Sequence, residues 1–475
     1  MALRIRVPAP LLAGGLVLAL AACTTGGDAS APEQDSIAFA DITAPGVSGL
    51  AELVWNLPYG EPTSVDPAYS AGDSPSTVIS NMCESLLLQN PDFSLSANLA
   101  NVQEVDDTTY VVTLDERATF WDGSPVTPQD VIFSIERIRS PEVGSTFAEV
   151  LSSIDSIEAT GDSEVTITLS EPDTFFYPHL ATPAAAIVQE KFATENAEGF
   201  GTADVGVMCT GPFAFSEWAL GEYVLMERYS DYWDQDRAAL SESLKITFNT
   251  DAASAATAMQ NGDINGSFNF PVSAIDALAN GGGSVTYGTS LSLYGIMFVN
   301  LNEGPMADPR LREALQLAID YEGIREGVFA DAAQINKTFT PRSAWGYSAN
   351  IFEQAWDEVE AGVTDLDRAR ALVEEAGDLE RPVVLSYYAD LPEDAQVASA
   401  VQSAATEIGL EVEVNAQTAA ENFAMYFEAD ARIGTDMMIW AGYLDTQEPA
   451  AYYQYYTTNG IFNVCLLYTS PSPRD

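Results

Sequence analysis

The sequence is poor in positive charge. Its 475 residues contain 19 lysines and arginines against 70 aspartates and glutamates, which gives a formal net charge of −51 at pH 7. Such a surface repels nucleic acid and anionic lipid headgroups, so nucleic-acid binding is excluded as a function. Two interpretations of the acidic excess stay open. Either the carboxylates form a solvated coat, as in salt-adapted bacteria, or they line a binding cleft for cationic ligands.

Catalytic signatures are scarce as well. The only histidine, His179, lies in the aromatic-rich segment FFYPHL, where a packed or surface side chain is expected rather than a general base. The sequence contains no G-x-S-x-G elbow, no H-E-x-x-H motif and no P-loop. Among 70 acidic residues, paired carboxylates arise by chance and do not indicate a glycosidase or a peptidase. We therefore expect a protein that is not an enzyme and needs no cofactor.

Cysteines and long apolar runs are also few. The four cysteines are Cys23, Cys83, Cys209 and Cys465, without any C-x-x-C pair, and their spacing predicts no metal site. After the N-terminal region no segment is long and apolar enough to cross a membrane. The hydrophobic content of 47% is nevertheless that of a folded globular protein, with residues enough for two or three domains.

The N-terminus is typical of an exported lipoprotein. Arg4 and Arg6 precede an apolar stretch, and residues 1–22 resemble a secretory signal peptide. The stretch ends in LAAC, which looks like a bacterial lipobox whose Cys23 is acylated; an ordinary signal peptide with an incidental cysteine is the alternative. Residues 23–50 are polar and rich in small residues, which predicts a flexible tether. We expect an extracytoplasmic protein that is attached to the bacterial cell membrane by its lipid anchor only, at the cell surface or in the periplasm.

The C-terminal residues 464–475 differ in character from the rest. Their sequence, VCLLYTSPSPRD, resembles a translated read-through of a sequencing adapter, so we interpret it as non-native. The native sequence would then stop near Asn463, before the end of the protein, and Cys465 would be part of the artefact. A genuine proline-rich tail is the alternative.

The segment from Thr119 to Arg137 is the most informative in the chain. Asp122-Gly123-Ser124-Pro125 has the composition of a tight turn. Thr127 then fits a helix N-cap, Pro128 the first helical position and Asp130 the first turn. The apolar face of the predicted helix consists of Val131, Ile132, Ile135 and Ile138.

Strands and helices alternate along the rest of the chain. The pattern predicts strands at 51–57, 163–169, 383–388 and 410–414, a hairpin over 102–114, and helices over 78–88, after Asp308, from Asp365 to Gly377 and over 392–408. The last strand–helix–strand sequence is typical of a βαβ unit, with Gly409 just after its helix.

Together these features resemble the family 5 solute-binding proteins of ABC importers, which include the dipeptide- and oligopeptide-binding proteins. The turn-and-helix motif is followed by further segments similar to that family: TGPF at 210–213, Trp218, RYSDYW at 228–233 and DPRLR at 308–312. One departure is Asn265, where the family has an acidic residue. The resemblance covers the chain from about Leu53 to Asn463.

The resemblance implies an α/β fold with two lobes, the periplasmic-binding-protein or Venus flytrap type, and an extra small lobe inserted in the first lobe. The implied boundaries are 51–72 and 206–287 for the first large lobe, 73–205 for the inserted small lobe and 288–463 for the second lobe. In this family the two large lobes close over the ligand by hinge motion. Cys83 and Cys209 fall in segments that border the same lobe, from which we predict a disulfide; two buried free thiols are the alternative.

Two segments carry the ligand site that the resemblance implies. Residues matching Ala71, Gly72 and Asp73 pair with the peptide backbone like an added strand. The segment AGYLDTQEP resembles the family's W-x-x-D-[YF]-x-[DE]-P, which makes Ala441, Gly442 and Tyr443 the second wall and assigns Asp445 to the ligand's α-ammonium group. The alternative for Asp445 is a helix cap.

The site also departs from the family pattern. Gly442 stands where a tryptophan is common, so an aromatic wall is missing unless Trp440 supplies it. Peptide binders need a cation for the ligand's carboxylate, yet the residues shortly before Asp445 are apolar. Arg342 and Lys337 are candidates that match no motif.

The implied function is that of a substrate-binding lipoprotein, a monomer that captures short peptides and delivers them to the permease and ATPase of an ABC importer. The same fold binds nickel complexes, sugars, opines and other small solutes, so a non-peptide solute is an alternative. A ligand sensor or a peptide chaperone would carry an identical site.

Overall fold

The computed structural model describes residues 39–40, 43–269, 272–280, 283–288, 291–299, 301, 303–359, 363–443 and 446–454. Their strands are β1 (Phe39–Ala40), β2 (Glu52–Asn56), β3 (Leu87–Gln89), β4 (Leu95–Ala97), β5 (Ala100–Asp106), β6 (Thr109–Leu114), β7 (Ile154–Ala159), β8 (Glu164–Leu169), β9 (Phe213–Ala219), β10 (Tyr223–Arg228), β11 (Ser243–Thr247), β12 (Gly266–Ser267), β13 (Tyr287–Gly288), β14 (Ser292–Phe298), β15 (Val383–Tyr388), β16 (Val412–Gln417) and β17 (Met437–Tyr443). Their α-helices are α1 (Asp73–Ser80), α2 (Pro128–Arg139), α3 (Phe176–His179), α4 (Glu190–Glu195), α5 (Ala252–Asn261), α6 (Ile275–Asn280), α7 (Pro309–Ala318), α8 (Tyr321–Gly327), α9 (Ala349–Glu358), α10 (Leu366–Ala376), α11 (Pro392–Glu407), α12 (Ala419–Phe427) and α13 (Pro449–Gln454).

Three sheets organise this part of the chain. Sheet A has the order β12-β2-β11-β10-β9, sheet B the order β5-β6-β8-β7, and sheet C the order β14-β17-β15-β16. Sheet A takes β2 from before sheet B and its other strands from after it, which is the arrangement of an inserted lobe. The sheets thus occur in the predicted order of first, inserted and second lobe, while the lobe boundaries stay predictions.

Each sheet contributes to a hydrophobic core of its own. The core of sheet A includes Trp218 and Val224, that of sheet B includes Phe120 and Ile167, and that of sheet C includes Leu385. All five side chains are less than 10% exposed. Because burial of apolar surface is the main stabilising term, each lobe has its own source of stability.

The predicted helix after Thr127 is confirmed as α2. The Thr127 hydroxyl accepts a hydrogen bond from the backbone N–H of Asp130, and the Asp130 carboxylate accepts one from the backbone N–H of Thr127 at 3.0 Å. This reciprocal capping box satisfies donors that the first helical turn leaves open. Val131 and Ile135 are fully buried, as expected for the apolar face.

The predicted helix over 78–88 is wrong in its position. The helix α1 ends at Ser80, and residues 87–89 form the strand β3. The N–H of Leu86 donates to the carbonyl of Ala185 at 3.3 Å, and the N–H of Leu87 donates to that of Leu180 at 2.9 Å. These long-range backbone bonds replace the local bonds of a helix, so tertiary contacts override helical propensity here.

The predicted tether is not unpaired throughout. Strand β1, within 23–50, pairs in parallel with β13. The N–H of Leu50 also donates to the Ser241 hydroxyl at 3.1 Å.

Several predictions fall outside the described residues. These are the signal peptide 1–22, the lipidation site Cys23, Asp445 and the C-terminal residues 464–475. In the part of the chain that the structure covers, no helix has the length and apolarity needed to span a membrane.

Two buried ionic contacts connect the first lobe to the inserted lobe. Arg137 on α2 donates to both carboxylate oxygens of Asp66, at 2.8 and 2.5 Å, and its guanidinium carbon lies 4.9 Å from the centre of the Phe200 ring. Glu84 is only 7% exposed, and its carboxylate accepts hydrogen bonds from four side chains. These donors are Thr210, Tyr232, Trp233 and Arg237, at 2.9, 2.7, 2.8 and 3.4 Å.

The structure joins Cys83 and Cys209 in a disulfide whose Cα atoms lie 4.9 Å apart. We predict that neither cysteine of the denatured, unreduced protein reacts with a thiol reagent, and that both react after reduction. The measurement is alkylation followed by peptide mapping, which assigns each modified thiol to its position. Alkylation at both positions before reduction would contradict the pairing and favour two free thiols.

Candidate ligand-binding cleft

The predicted wall at Ala441, Gly442 and Tyr443 lies on strand β17. Along its whole length this strand pairs with β14 in antiparallel orientation. On its other edge, β15 pairs only with Met437 and Met438. No strand among the described residues covers that edge from 439 to 443. Ile439 and Trp440 are nevertheless buried, whereas Ala441 is exposed, so the edge is accessible at Ala441. An accessible strand edge can pair with an extended peptide backbone.

The predicted segment Ala71–Asp73 lies at the start of helix α1. Gly72 occupies the N-cap position with φ of +100°, a conformation that favours glycine, and Asp73 is the first helical residue. These residues therefore do not form a strand themselves.

Polar side chains from both sides of the cleft form a group that we call the acid–tyrosine junction. It comprises Tyr59 and Asn269 of the first lobe, Asp73 at the start of the inserted lobe, and Tyr294, Glu393 and Asp394 of the second lobe. The Tyr294 hydroxyl donates to Asp394 at 2.7 Å, and the Tyr59 hydroxyl bonds the Asn269 side chain. The N–H of Val272 donates to Glu393 at 3.2 Å, which connects the two lobes directly.

Burial and neighbouring carboxylates shift the pKa values of several side chains at this junction. Burial, followed by the carboxylates of Asp73, Asp394 and Glu393, raises the pKa of Tyr59 well above its ordinary value. Loss of hydration also raises the pKa of Asp394, which is 4% exposed. It raises the pKa of Asp73 too, although the Asp73 side chain keeps access to solvent. The charges of Asp73, Asp394 and Glu393 thus act on Tyr59 in the same direction as burial.

The junction extends to the open edge of β17. Burial raises the pKa of Tyr426 to about 12, and the charge of Asp394 raises it as well. A hydrogen bond from the Ala441 backbone has the opposite effect and lowers this pKa. No arginine or lysine of the described chain forms an ion pair with Asp73, Glu393 or Asp394. The cleft between the lobes therefore carries negative charge beside a strand edge that can bind a peptide.

Trp440 explains the glycine at position 442. A Cβ atom at Gly442 would lie 2.1 Å from Cζ2 of Trp440, so the indole ring fills the space that a side chain at 442 would need. Trp440 is 8% exposed and packs with Leu291 and Ala344. An aromatic ring is therefore present on this strand, two residues before the position where the family has it.

Asp445 lies outside the described residues, but its neighbours are placed. Thr446 is buried, and the Gln447 side chain donates to the carbonyl of Ser343 at 2.8 Å. Helix α13 begins at Pro449, so its N-cap position is residue 448. Both predicted roles of Asp445, the amine contact and the helix cap, stay predictions.

His179 is buried, and burial lowers its pKa to about 4. The imidazole is therefore neutral at pH 7, as expected for a packed side chain. Over the described part of the chain, no group of three or more His, Cys, Asp or Glu side chains is arranged to hold a metal ion.

Sequence reasoning missed five residues of the junction: Tyr59, Asn269, Tyr294, Glu393 and Asp394. Glu393 and Asp394 follow Pro392 in the first turn of α11, where acidic residues are common for reasons of helix stability alone. Only the approach of the two lobes distinguishes them, and no local signal reports that approach.

Comparisons with known proteins agree with this architecture. The family described as bacterial extracellular solute-binding proteins, family 5 Middle, matches residues 87–463. The glutathione-binding protein GsiB of Pectobacterium atrosepticum is 27% identical over 76% of this chain and 68% of its own length. The chain spans about two thirds of the length of the curated relatives that it matches. In three of them the matched share is between 61% and 68% of the relative's own length.

Solved structures show the same fold. The oligopeptide-binding protein AppA of Bacillus subtilis, in complex with a nonapeptide, has a TM-score of 0.75 at 21% identity, over 90% of this chain and 86% of its own. NikZ of Campylobacter jejuni, in complex with Ni(L-His), has a TM-score of 0.74 at 21% identity, over 88% of this chain and 83% of its own. The family match covers most of the chain. The chain therefore belongs to the bacterial extracellular solute-binding proteins of family 5.

Proposed function

We propose that this solute-binding protein captures short peptides between its two large lobes and delivers them to the permease and ATPase of an ABC importer. Cys23 would carry the lipid anchor that keeps the protein, as a monomer, at the outer face of the cell membrane. No chemistry is performed on the ligand. Binding and release accompany lobe closure and opening.

One observation carries the choice of a peptide: the open edge of β17 lies beside the acid–tyrosine junction. Near Ala441 the edge is exposed, and the backbone groups that are not already bonded to Tyr426 could pair with an extended peptide without reading its side chains. The junction, together with Asp445, offers negative charge for the ligand's amine. Ala71–Asp73 would approach the peptide from the opposite lobe.

Two alternatives keep the same fold. A non-peptide solute such as a nickel complex, a sugar or an opine would need polar contacts other than the strand edge. A ligand sensor or peptide chaperone would bind the same ligand without a permease; a gene neighbourhood without permease and ATPase genes would favour it.

Native mass spectrometry of the exported protein tests the proposal directly. Closed clefts retain ligands through purification, so no ligand has to be guessed. We expect adduct masses that match a series of short peptides. A single discrete mass that matches no peptide would contradict peptide capture and would leave solute binding intact.

The amine contact leads to a separate prediction. Asp445→Ala should weaken the binding of a recovered free-amine peptide roughly tenfold or more, because a charge-assisted hydrogen bond contributes about 1.5–3 kcal/mol. Isothermal titration calorimetry with the peptide and its N-acetylated form measures the effect. Asp430→Ala, an exposed carboxylate in the second lobe, is the control. Equal affinity of Asp445→Ala and the unmodified protein would remove this role.

A further inference from the structure

The tip of the β3–β4 hairpin carries a residue that its backbone conformation does not favour. Phe93 has φ of +63°, in the left-handed region, and it is the only aromatic residue with a positive φ among the described residues. The N–H of Phe93 donates to the carbonyl of Asn90 at 2.8 Å, and the N–H of Asn90 donates to that of Ser94 at 2.8 Å. In a hairpin turn closed in this way, glycine is the usual residue at the left-handed position, because a Cβ atom is crowded there.

The local sequence shows how exceptional this residue is. Residues 90–94 read NPDFS, whereas x-P-D-G-x is the usual pattern of such a turn. Phenylalanine therefore occupies the position at which glycine is expected, and for a bulky side chain this conformation costs free energy. The rest of the turn is regularly bonded, since the Asn90 side chain donates to the carbonyl of Ser94 at 3.1 Å. A strained residue of this kind persists where contacts elsewhere compensate for its cost.

Contacts that compensate for the strain of Phe93 come from the second lobe. The ring packs against a group of apolar side chains that we call the Trp440 cluster, which consists of Leu291, Ala344 and Trp440. All three are less than 10% exposed. Phe93 is half-buried, whereas its neighbours at positions 91, 92 and 94 are exposed. The hairpin therefore extends from the inserted lobe into water, except where Phe93 meets the second lobe.

The Trp440 cluster adjoins the strand that is proposed to pair with the ligand. Trp440 belongs to β17 and directly precedes Ala441, at which the strand edge is accessible. Tyr426 packs on the same cluster and bonds the Ala441 backbone. Phe93 thus contacts the second lobe beside the ligand-binding edge, at a place distinct from the contact between Val272 and Glu393.

We propose that Phe93 is a latch that holds the inserted lobe against the second lobe when the cleft is closed, and that it slows the release of the ligand. Its effect on release rests on the proposed function. The strain of the turn is present in the open and the closed form alike, whereas the apolar contact exists only where the lobes touch. The contact therefore stabilises the closed form selectively, and its loss should appear mainly in the dissociation rate.

Replacement of Phe93 with asparagine separates the latch from the stability of the fold. Asparagine tolerates the left-handed conformation but offers no apolar ring. We therefore expect Phe93→Asn to unfold at an unchanged or higher temperature and to release its ligand at least about fivefold faster than the unmodified protein. Phe93→Leu keeps the strain and an apolar side chain, so it is the matched control and should retain most of the slow release.

Release is measured on the full-length protein after removal of endogenous ligand. The protein is loaded with an equimolar mixture of tripeptides and diluted, and native mass spectrometry follows the bound fraction over time. Equal release rates of Phe93→Asn and the unmodified protein would overturn the latch and leave peptide capture standing. A lower unfolding temperature of Phe93→Asn with unchanged release would assign Phe93 to the fold alone.

Hydrogen exchange of the ligand-free protein tests the latch without any peptide. The N–H of Ala344 donates to the carbonyl of Pro341 at 3.0 Å, within a short turn that exchanges readily when nothing covers it. We expect this segment to exchange at least about twofold faster in Phe93→Asn than in the unmodified protein. Equal exchange would overturn the latch. Retention of no peptide by any of the proteins would contradict peptide capture, whereas faster exchange in Phe93→Asn would still support the latch.

Discussion

Replacement of Glu84 with alanine is expected to lower the free energy of unfolding by about 3–5 kcal/mol, the cost of breaking a buried ionic contact by removing one partner. The carboxylate accepts from Thr210, Tyr232 and Trp233 and pairs with Arg237 at 3.4 Å. Burial raises the pKa of Glu84, whereas these four donors favour its charged form. Without the acid, buried donors would remain unsatisfied.

Urea unfolding followed by circular dichroism measures this loss. Glu84→Gln should cost less than Glu84→Ala, because the amide oxygen still accepts hydrogen bonds although Arg237 loses its charged partner. Glu136→Ala removes an exposed carboxylate paired with Arg139 and should change the stability by less than about 1 kcal/mol. If Glu84→Ala lowered the free energy of unfolding no more than Glu136→Ala, the hydrogen bonds of Glu84 between the lobes would not stabilise the fold.

Arg137→Met should have an effect of similar size, about 3–5 kcal/mol, because it leaves the carboxylate of Asp66 buried without its cation. Asp66 is 1% exposed, and the two side chains form a bidentate pair. Methionine keeps part of the apolar contact with Phe200, so the loss reports mainly the charge.

The control for Arg137 lies two residues further along the same helix. Arg139→Met removes a guanidinium that pairs with the half-exposed Glu136 and donates to the carbonyl of Ile154 at 2.5 Å, and we expect a smaller loss of about 1–2 kcal/mol. A double-mutant cycle with Asp66→Asn isolates the pairwise term. A coupling energy near zero between positions 66 and 137 would contradict the predicted contribution.

Local signals in the sequence were sufficient for the elements that they specify. The capping residues Thr127 and Asp130 predicted the start of α2, and Asp365 and Gly377 predicted both ends of α10. The βαβ unit of β15, α11 and β16 was likewise predicted, with its parallel pairing. In each case the relevant physics acts within a few residues.

Long-range contacts account for what the sequence did not predict. Leu87 continues an apolar run of helical appearance, yet its backbone bonds the Leu180 carbonyl across the lobe. The acid–tyrosine junction combines residues that are more than 300 positions apart, such as Tyr59 and Asp394. Lys337 and Arg342 were candidates without a motif, and only the folded lobe shows that both lie beside Trp356.

The position of the disulfide has a consequence for modularity. Cys83 and Cys209 are separated by 126 positions in sequence, but their Cα atoms lie 4.9 Å apart. The intervening chain, with all of sheet B, leaves and re-enters the first lobe at nearly the same point. The disulfide therefore fixes the distance between the two ends of this excursion. Its last part is not exchangeable, because Val188, Phe200 and Val207 belong to the core of sheet A. A reporter domain would have to enter within sheet B, for example at the turn between β5 and β6.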